Sequence, residues 1–350
     1  MLLKNGLASH FASLPDPRIR RSRKHELLDI LFVALCATIC GADSFAEIAQ
    51  WGRSNQGWLQ SLLPLTGGIP SHDTLGRVFA RLDRQAFADC FREWTRTLYQ
   101  KTEGEVIPLD GKWVRGSFDT AAGTGSLKMV SAWASHARLV LTQKAIEPGS
   151  NETATLPHLL ALLDIVGCVV TIDAAGCQKE IAGQITDRGG DYVLSLKGNQ
   201  PYMHGSVSDN FADWEAKGWR IPFARDRART ANKGHGRVEV RECFAVAAAD
   251  FVDVRAEWGG LKNIVLLKSE RRTGEKVTRE ERYYLTSLSG SGVARRVMRA
   301  IRSHWGIENR LHERTAGAVP LTGCWMWCTG RISVACVPAT RHRICRSCVR

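Results

Sequence analysis

Residues 166–173, VGCVVTID, limit the fold of this chain more than any other segment. A strand with one wet face alternates apolar and polar residues, whereas an unbroken β-branched run belongs to a strand covered on both faces. The cover is at hand, because residues 153–165 before the run and 178–187 after it carry apolar side chains at helical spacing. Three further strands precede it, at 106–109, 127–135 and 137–146, and a fifth follows at 191–197, DYVLSLK. The order β-β-β-α-β-α-β has three strands joined by short turns and two reached through helices. That is the plan of a mixed sheet with helices packed on it, and not of a pure dinucleotide-binding βαβ series.

Residues 1–104 read as helical. Segments 27–40, 44–52, 73–82 and 84–99 place apolar residues three and four apart, punctuated by Pro64, Gly67, Gly68 and Pro70. Ser71, His72, Asp73 and Thr74 offer N-caps for the helix after Pro70, and Arg77, Arg81 and Arg84 give it a basic surface. The longest apolar run, LLDILFVALCATIC at 27–40, is 14 residues long and contains Asp29, well short of the roughly 20 that span a bilayer. It fits a buried helix. No apolar stretch with a small-residue cleavage site opens the chain, so neither export nor a membrane partner is expected, and a reducing, cytoplasmic compartment leaves thiols unpaired.

Beyond residue 200 the pattern changes again. Residues 200–290 form a strand-rich stretch that interrupts the core in sequence, with strands at 237–246, 262–267 and 282–287 and a polar, basic connection over 225–237. A helix is predicted over 293–313. Val297, Ile301, His304, Glu308 and Leu311 share one of its faces, and Arg295, Arg299 and Arg302 share the opposite one, as either a solvated stripe or a surface for DNA. The cluster Arg18, Arg20, Arg21, Arg23 and Lys24 is another phosphate-contact candidate, or a solubilising arm. In total, 48 Lys and Arg against 35 Asp and Glu give +13, which favours a polyanionic partner without choosing among nucleic acid, anionic membrane and acidic substrate.

Three acidic residues stand where a metal-dependent phosphoryl-transfer site needs them. Asp110 closes the first core strand, Asp173 closes the fourth, and Glu308 lies on the late helix, at separations of 63 and 135 positions. Two divalent cations roughly 4 Å apart, flanked by such carboxylates, clamp the attacking and leaving oxygens of a phosphodiester displacement. Hard oxygen ligands suit Mg²⁺ or Mn²⁺, and the cations let three carboxylates stay ionised together. Each acid also has a plainer reading. Asp110-Gly111 is a common turn dipeptide, Asp173 is a natural N-cap, and Glu308 on its apolar stripe would be satisfied by an Arg or Lys as well as by a metal.

The chain resembles the DDE transposases of bacterial insertion sequences, in particular the ISAs type that includes the H-repeat-associated proteins. The segments that carry the likeness are FASLPDPRIRRSRKHELLDILFVALCATICGADSFAEIAQWG and GGIPSHDTLGRVFARLD near the N-terminus, VIPLDGKWVRGS around Asp110, VVTIDAAGCQKEIAGQI around Asp173, GGDYVLSLKGNQ, RYYLTSL, and IRSHWGIENRLH around Glu308. They span residues 8 to about 312. The resemblance implies an α/β fold: a ribonuclease-H-like mixed sheet with helices on both faces over 105–313, preceded by an all-helical domain over 1–104 and interrupted by a β-strand insertion at about 200–290.

It further implies that Asp110, Asp173 and Glu308 hold two Mg²⁺ (or Mn²⁺) ions, which activate water to cut at an element end and then the freed 3′-hydroxyl to attack target DNA. The implied partner is double-stranded DNA, met as terminal inverted repeats and as target, with a homodimer joining two ends at the bacterial nucleoid. By resemblance His304 and Trp305 flank the DNA; otherwise they pack in the core. Lys197 and Asn199, just past the fifth strand, are phosphate-contact candidates, with Lys112, Arg115 and Arg302 beside them.

The family pattern stops after the HWGIENRLH segment. From Arg314 to Arg350 there are 37 residues with no Asp, Glu or Lys, six Arg and five of the chain's eleven Cys. Loss of the pattern and change of composition begin together, so this tail is expected to be translated in a shifted frame. Its loss of genuine C-terminal helices would leave a DNA-binding remnant without activity. A competing reading takes Cys324, Cys328, Cys345 and Cys348 as a zinc site. Without the tail's +6, residues 1–313 keep +7, still basic enough for DNA.

Overall fold

The computed structural model describes residues 2–99, 101–113, 128–137, 139–220, 225–234, 236–251 and 258–307. The N-terminal part is helical throughout: α1 (Leu2–Phe11), α2 (Leu27–Ile39), α3 (Phe45–Ser54), α4 (Gln56–Leu62), α5 (His72–Arg81) and α6 (Arg84–Leu98). α2 is apolar on every side and is the helix the others surround, with Ile30, Val33, Ala34 and Ala37 fully buried. α1 and α4 add to the helices expected from spacing. Ser44, Ser71 and Asp83 cap α3, α5 and α6, accepting from the N–H groups of Glu47, Thr74 and Ala86. No helix among the described residues is long and apolar enough to cross a membrane.

His25, buried just before α2, pins the 64–68 loop through Nδ1 and the Gly68 carbonyl oxygen, 3.1 Å apart. Burial lowers its pKa below the ordinary 6.5, Lys24 and Arg18 push the same way, and Asp29 opposes them. The unfolded chain therefore takes up this proton at higher pH than the folded one. The stability tied to a neutral His25 is complete above about 6.5 and is lost as pH falls through the lower folded value. Thermal melts from pH 7.5 down to 5 should show this fall, and His25→Asn should flatten it. An equally steep fall in the variant would assign the effect elsewhere.

The rest of the described chain is built on one sheet. Its strands are β1 (Val106–Trp113), β2 (Lys128–Ala134), β3 (Leu139–Ala145), β4 (Val169–Ile172), β5 (Asp191–Leu196), β6 (Arg225–Gly234), β7 (Arg237–Ala247), β8 (Asn263–Thr273) and β9 (Lys276–Thr286). Their spatial order is β3-β2-β1-β4-β5-β9-β8-β7-β6. β1 pairs antiparallel with β2 and β2 with β3, β1-β4-β5 run parallel, and all pairings from β5 outward are antiparallel. The parallel pairs need crossovers, which α7 (Glu152–Ala161) and α8 (Lys179–Asp187) supply.

Helices cover both faces. Leu156, Leu159 and Leu160 of α7, Ile181 and Ile185 of α8, and Phe211 of α9 (Pro201–Ala216) pack with Ile107, Val170 and Leu194. Alternate residues of the same strands, Val106, Val169 and Val193, face the other way onto Val293, Val297 and Ile301 of α10 (Val293–Gly306). Of the run 166–173 only Val169–Ile172 forms a strand, β4, which is buried along its length, whereas Val166 before it is exposed.

Four sequence expectations change. β1 does not end at Asp110 but continues to Trp113, because its pairing with β2 outlasts its pairing with β4. The supposed connection 225–237 contains strand β6, whose inward residues Asp226, Ala228, Thr230 and Asn232 are small or polar and leave no apolar alternation to read. α9 was not expected, since Gly205, Ser206, Ser208 and Asn210 dilute its apolar stripe. The 200–290 stretch is not set apart from the core sheet, because β9 pairs directly with β5 and the other strands extend outward from it.

Candidate active site

The site begins with register. β1 and β4 pair in parallel up to Leu109 with Ile172, so the residues that follow, Asp110 and Asp173, stand side by side at one edge. Neighbouring strands lie about 4.8 Å apart, and residues in step on parallel strands point to the same face. Alternation fixes which face. Val106 and Val169 contact α10 and Ile107 and Val170 do not, so Asp110 and Asp173 both lie on the α10 side. Lys112, half-buried and two residues beyond Asp110 on β1, shares that face.

Asp173 caps the short 3-10 turn Ala174–Gly176, its Oδ1 accepting from Ala174 N–H at 2.6 Å. The same oxygen accepts from Lys197 Nζ at 3.1 Å. Partial burial pushes this carboxyl up, but the Ala174 N–H and the Lys197 ammonium outweigh it, and His304 adds to them, leaving the pKa below 3.8. Asp173 is held ionised. The N-cap reading and the site reading of this residue are therefore compatible, because the cap uses one oxygen of a carboxylate that opens to solvent.

Lys197, expected at the edge of the sheet, is there and paired to Asp173. Asn199 donates from Nδ2 to the Ala174 carbonyl at 2.6 Å and so ties down the turn after Asp173. His304 Nδ1 lies 2.9 Å from Thr171 Oγ1, which fixes α10 against β4 two residues before Asp173. Trp305 is 40% exposed, with the Arg282 guanidinium 5.0 Å above its ring centre. It does not pack in the core. Asp173, Lys197, His204, Arg282, His304 and Trp305 line a pocket of about 430 Å³. Arg302 is not among them; two residues from His304 on a helix it points about 200° away. Arg115 and Glu308 lie outside the described residues, as does the whole 314–350 tail with its cysteines.

One acidic residue of this edge escaped the sequence reading. Glu152 sits in the first turn of α7, just after Asn151, which caps the helix by accepting from Ala154 N–H at 2.8 Å. Its carboxylate accepts the N–H of Gly111, and its pKa is raised, first by burial and then by the charge of Asp110, with Asp173 adding to them. The fit is close. A Cβ on Gly111 would fall 2.5 Å from Glu152 Cδ, so any larger residue after Asp110 would push this carboxylate aside. An acid in a helix's first turn is ordinary dipole chemistry, and nothing in its spacing distinguished this one.

Three carboxylates, Asp110, Glu152 and Asp173, thus approach one sheet edge, and their oxygens are of the hard kind that suits Mg²⁺ or Mn²⁺. Among the described residues no three His, Cys, Asp or Glu side chains are arranged closely enough to hold an ion by themselves. The edge supplies adjoining ligands on one face and leaves the cluster to be completed.

Comparison with known proteins gives the family of the chain. Residues 8–95 match the family model described as DDE_Tnp_1-associated, and residues 100–316 match the transposase DDE domain. A protein encoded in the dhlA 3′ region of Xanthobacter autotrophicus is 41% identical over 281 residues, 79% of this chain and 92% of the relative. YncI of Escherichia coli O157:H7, which carries a transposase name, is 38% identical over 87% of this chain and 78% of its own length. The H repeat-associated protein YhhI of Escherichia coli K12, also named as a transposase, is 34% identical over 88% of this chain and 81% of its own.

Proposed function

This chain belongs to the DDE transposases, and from that premise we propose that it binds the ends of a mobile element and cuts and joins DNA at the edge formed by Asp110 and Asp173. One observation carries the reading: the parallel register of β1 and β4 brings these two acids together on the face crossed by α10. The five strands in the order β3-β2-β1-β4-β5 correspond to a ribonuclease-H-like core, and the helices of residues 2–98 to a domain that contacts DNA.

DDE domains work with divalent metal ions, and the donors of this edge fit such ions in chemistry. Asp110 and Asp173 would hold them, with Glu308, four residues beyond His304 in sequence, as the third ligand. When bound, Mg²⁺ or Mn²⁺ supplies charge that stabilises a phosphodiester displacement and makes water or a 3′-hydroxyl a stronger nucleophile.

The chain's own groups do the rest. Ala174 N–H and Lys197 keep Asp173 ionised, and Thr171 orients His304. Lys197 and Lys112 offset phosphate charge at the edge, Asn199 holds the Asp173 turn, and the Trp305–Arg282 pair forms a wall against which DNA lies. A homodimer on double-stranded DNA, with one element end for each subunit, would act at the nucleoid.

The test is incubation of the full chain with duplex DNA bearing the element's terminal inverted repeats and Mg²⁺. Cut ends carrying 3′-hydroxyls are expected; absence of both binding and product would reject the reading. A second reading is a remnant that binds ends without cutting them. It is favoured by the match to the DDE domain ending at residue 316, where the composition also changes. Binding without product would select it, and so would reappearance of the family pattern when the coding DNA beyond codon 313 is translated in another frame.

Glu152 enters this proposal as a positioning residue that steadies the Asp110 end of β1 through Gly111 N–H. Glu152→Gln keeps an acceptor for that N–H and Glu152→Ala does not. Cleavage rate and Mn²⁺ affinity by calorimetry should therefore fall roughly 10- to 100-fold in the Ala variant and less than about tenfold in the Gln variant. Equal losses in the two would mean that the charge matters and the hydrogen bond does not.

A further inference from the structure

On the flank of α10 away from Asp173 lies a groove of about 780 Å³. Arg295, Arg299 and Arg302 of α10 line it with Ser303 between them, and β6 borders it at Arg229 and Thr230, the Arg229 side chain leaving the other face of the strand. The three helical arginines sit at four- and three-residue spacing and project from one face over about 10 Å of helix. Their surroundings in the fold are the ends of β1 and β2 opposite the carboxylate edge, marked by Val106 and Ser135. Four residues of strand separate Val106 from Asp110, about 13 Å.

Six arginines of the outer strands are held by carboxylates: Arg227 by Glu242, Arg241 and Arg271 by Glu239, Arg272 and Arg279 by Glu270, and Arg282 by Glu280. Arg229, Arg295, Arg299 and Arg302 form no ion pair or side-chain hydrogen bond among the described residues. The acids in the groove wall do not answer them. Glu105 is buried, accepting from Thr102 Oγ1 at 2.8 Å and from His136 N–H at 2.7 Å, which leaves Glu103 alone against three guanidinium groups of α10. The positive field reaches inward as well, since burial lowers the Arg241 pKa and the charge of Arg302 adds to that, against Glu239.

An open groove with three guanidinium groups from one helix face and the Ser303 hydroxyl between them matches a run of phosphates. Arginine's fork bonds two phosphate oxygens at once, and hydroxyls fill the remaining acceptors. We propose that this groove is a second DNA-contact surface, separate from the carboxylate edge, which tracks the phosphate backbone of a duplex along α10 and β6. The inference rests on the reading of the protein as one that handles DNA and adds where, outside the active edge, a duplex is held.

Counterion release provides the test. Each phosphate neutralised on B-DNA contributes about 0.9 to the slope of log affinity against log salt. Binding of the full chain to a fluorescein-labelled 30-base-pair duplex of arbitrary sequence would be followed by anisotropy across a salt series. The variant R295A/R299A/R302A should lower the slope by about 2 to 3 and weaken binding at the lowest salt by roughly 30-fold or more. The matching set of three Arg→Lys changes keeps the charges and should retain most of the slope. Asp110→Asn/Asp173→Asn, at the other site, should not lower it.

Far-ultraviolet circular dichroism and the melting temperature of each variant would establish that it is folded. A triple Ala variant that is folded and keeps the wild-type slope overturns the groove while leaving the DNA reading intact. A wild-type chain with no salt-dependent binding to any duplex overturns both.

Discussion

Asp173→Asn is expected to reduce strand cleavage by at least about 10³-fold, equivalent to roughly 4 kcal/mol of transition-state stabilisation, while leaving DNA binding within a few-fold of wild type. The size follows from what Asn removes. It keeps the volume and one oxygen, so the Ala174 N–H can still be accepted, but it loses the charge that Lys197 now balances. Lys197 would then stand beside a neutral group and bind phosphate more freely, so affinity for DNA should hold or rise as the rate collapses. A gel assay of cut product, run beside an anisotropy measurement of binding, separates the two. A variant that cuts at more than a tenth of the wild-type rate would remove Asp173 from the chemistry.

The second large effect concerns folding. Phe211 of α9 is 1% exposed and stands among Trp214, Trp219, Phe251 and Tyr283, with ring centres 5.3, 6.1, 5.8 and 6.0 Å away. Phe211→Ala deletes the centre of this cluster and should cost about 3–5 kcal/mol, the usual price of a large buried aromatic. It should shift the urea midpoint followed by tryptophan fluorescence to lower concentration. A loss below about 1 kcal/mol would mean that α9 does not pack on the sheet as described.

These two positions also differ in how readily they could be read. Asp173 was legible because it ends an apolar, β-branched run, and a charge there falls at a strand end, where α/β sheets gather their chemistry. Asp110 was legible as a candidate but not in its setting. The turn expected after it is a continuing strand, since antiparallel pairing to β2 is a long-range contact that local turn propensity does not report. Phe211 belonged to a helix hidden by its polar residues: Val207, Phe211 and Trp214 have helical spacing, but Gly, Ser and Asn around them lower the propensity that tertiary packing overrides.

β6 failed for the opposite reason, having the period of a strand in charges and not in apolar residues. Glu152 was the costliest omission. Its meaning depends on the missing Cβ of Gly111, 41 positions earlier, and no local pattern carries that information. Lys197 and Asn199 were placed correctly at the sheet edge, yet their partners, Asp173 and the Ala174 carbonyl, required the fold.

Whether Asp110 and Asp173 bind a cation together can be read from the cation's position, without requiring the enzyme to turn over. Fe²⁺ substituted for Mg²⁺, with ascorbate and peroxide, generates hydroxyl radicals that cut the polypeptide next to wherever the ion sits, and mass spectrometry maps the breaks. Scission is expected beside Asp110 and beside Asp173, suppressed by excess Mg²⁺ and absent in Asp110→Asn/Asp173→Asn. Mg²⁺-sensitive cuts confined to other parts of the chain, or an unchanged pattern in the double variant, would contradict it.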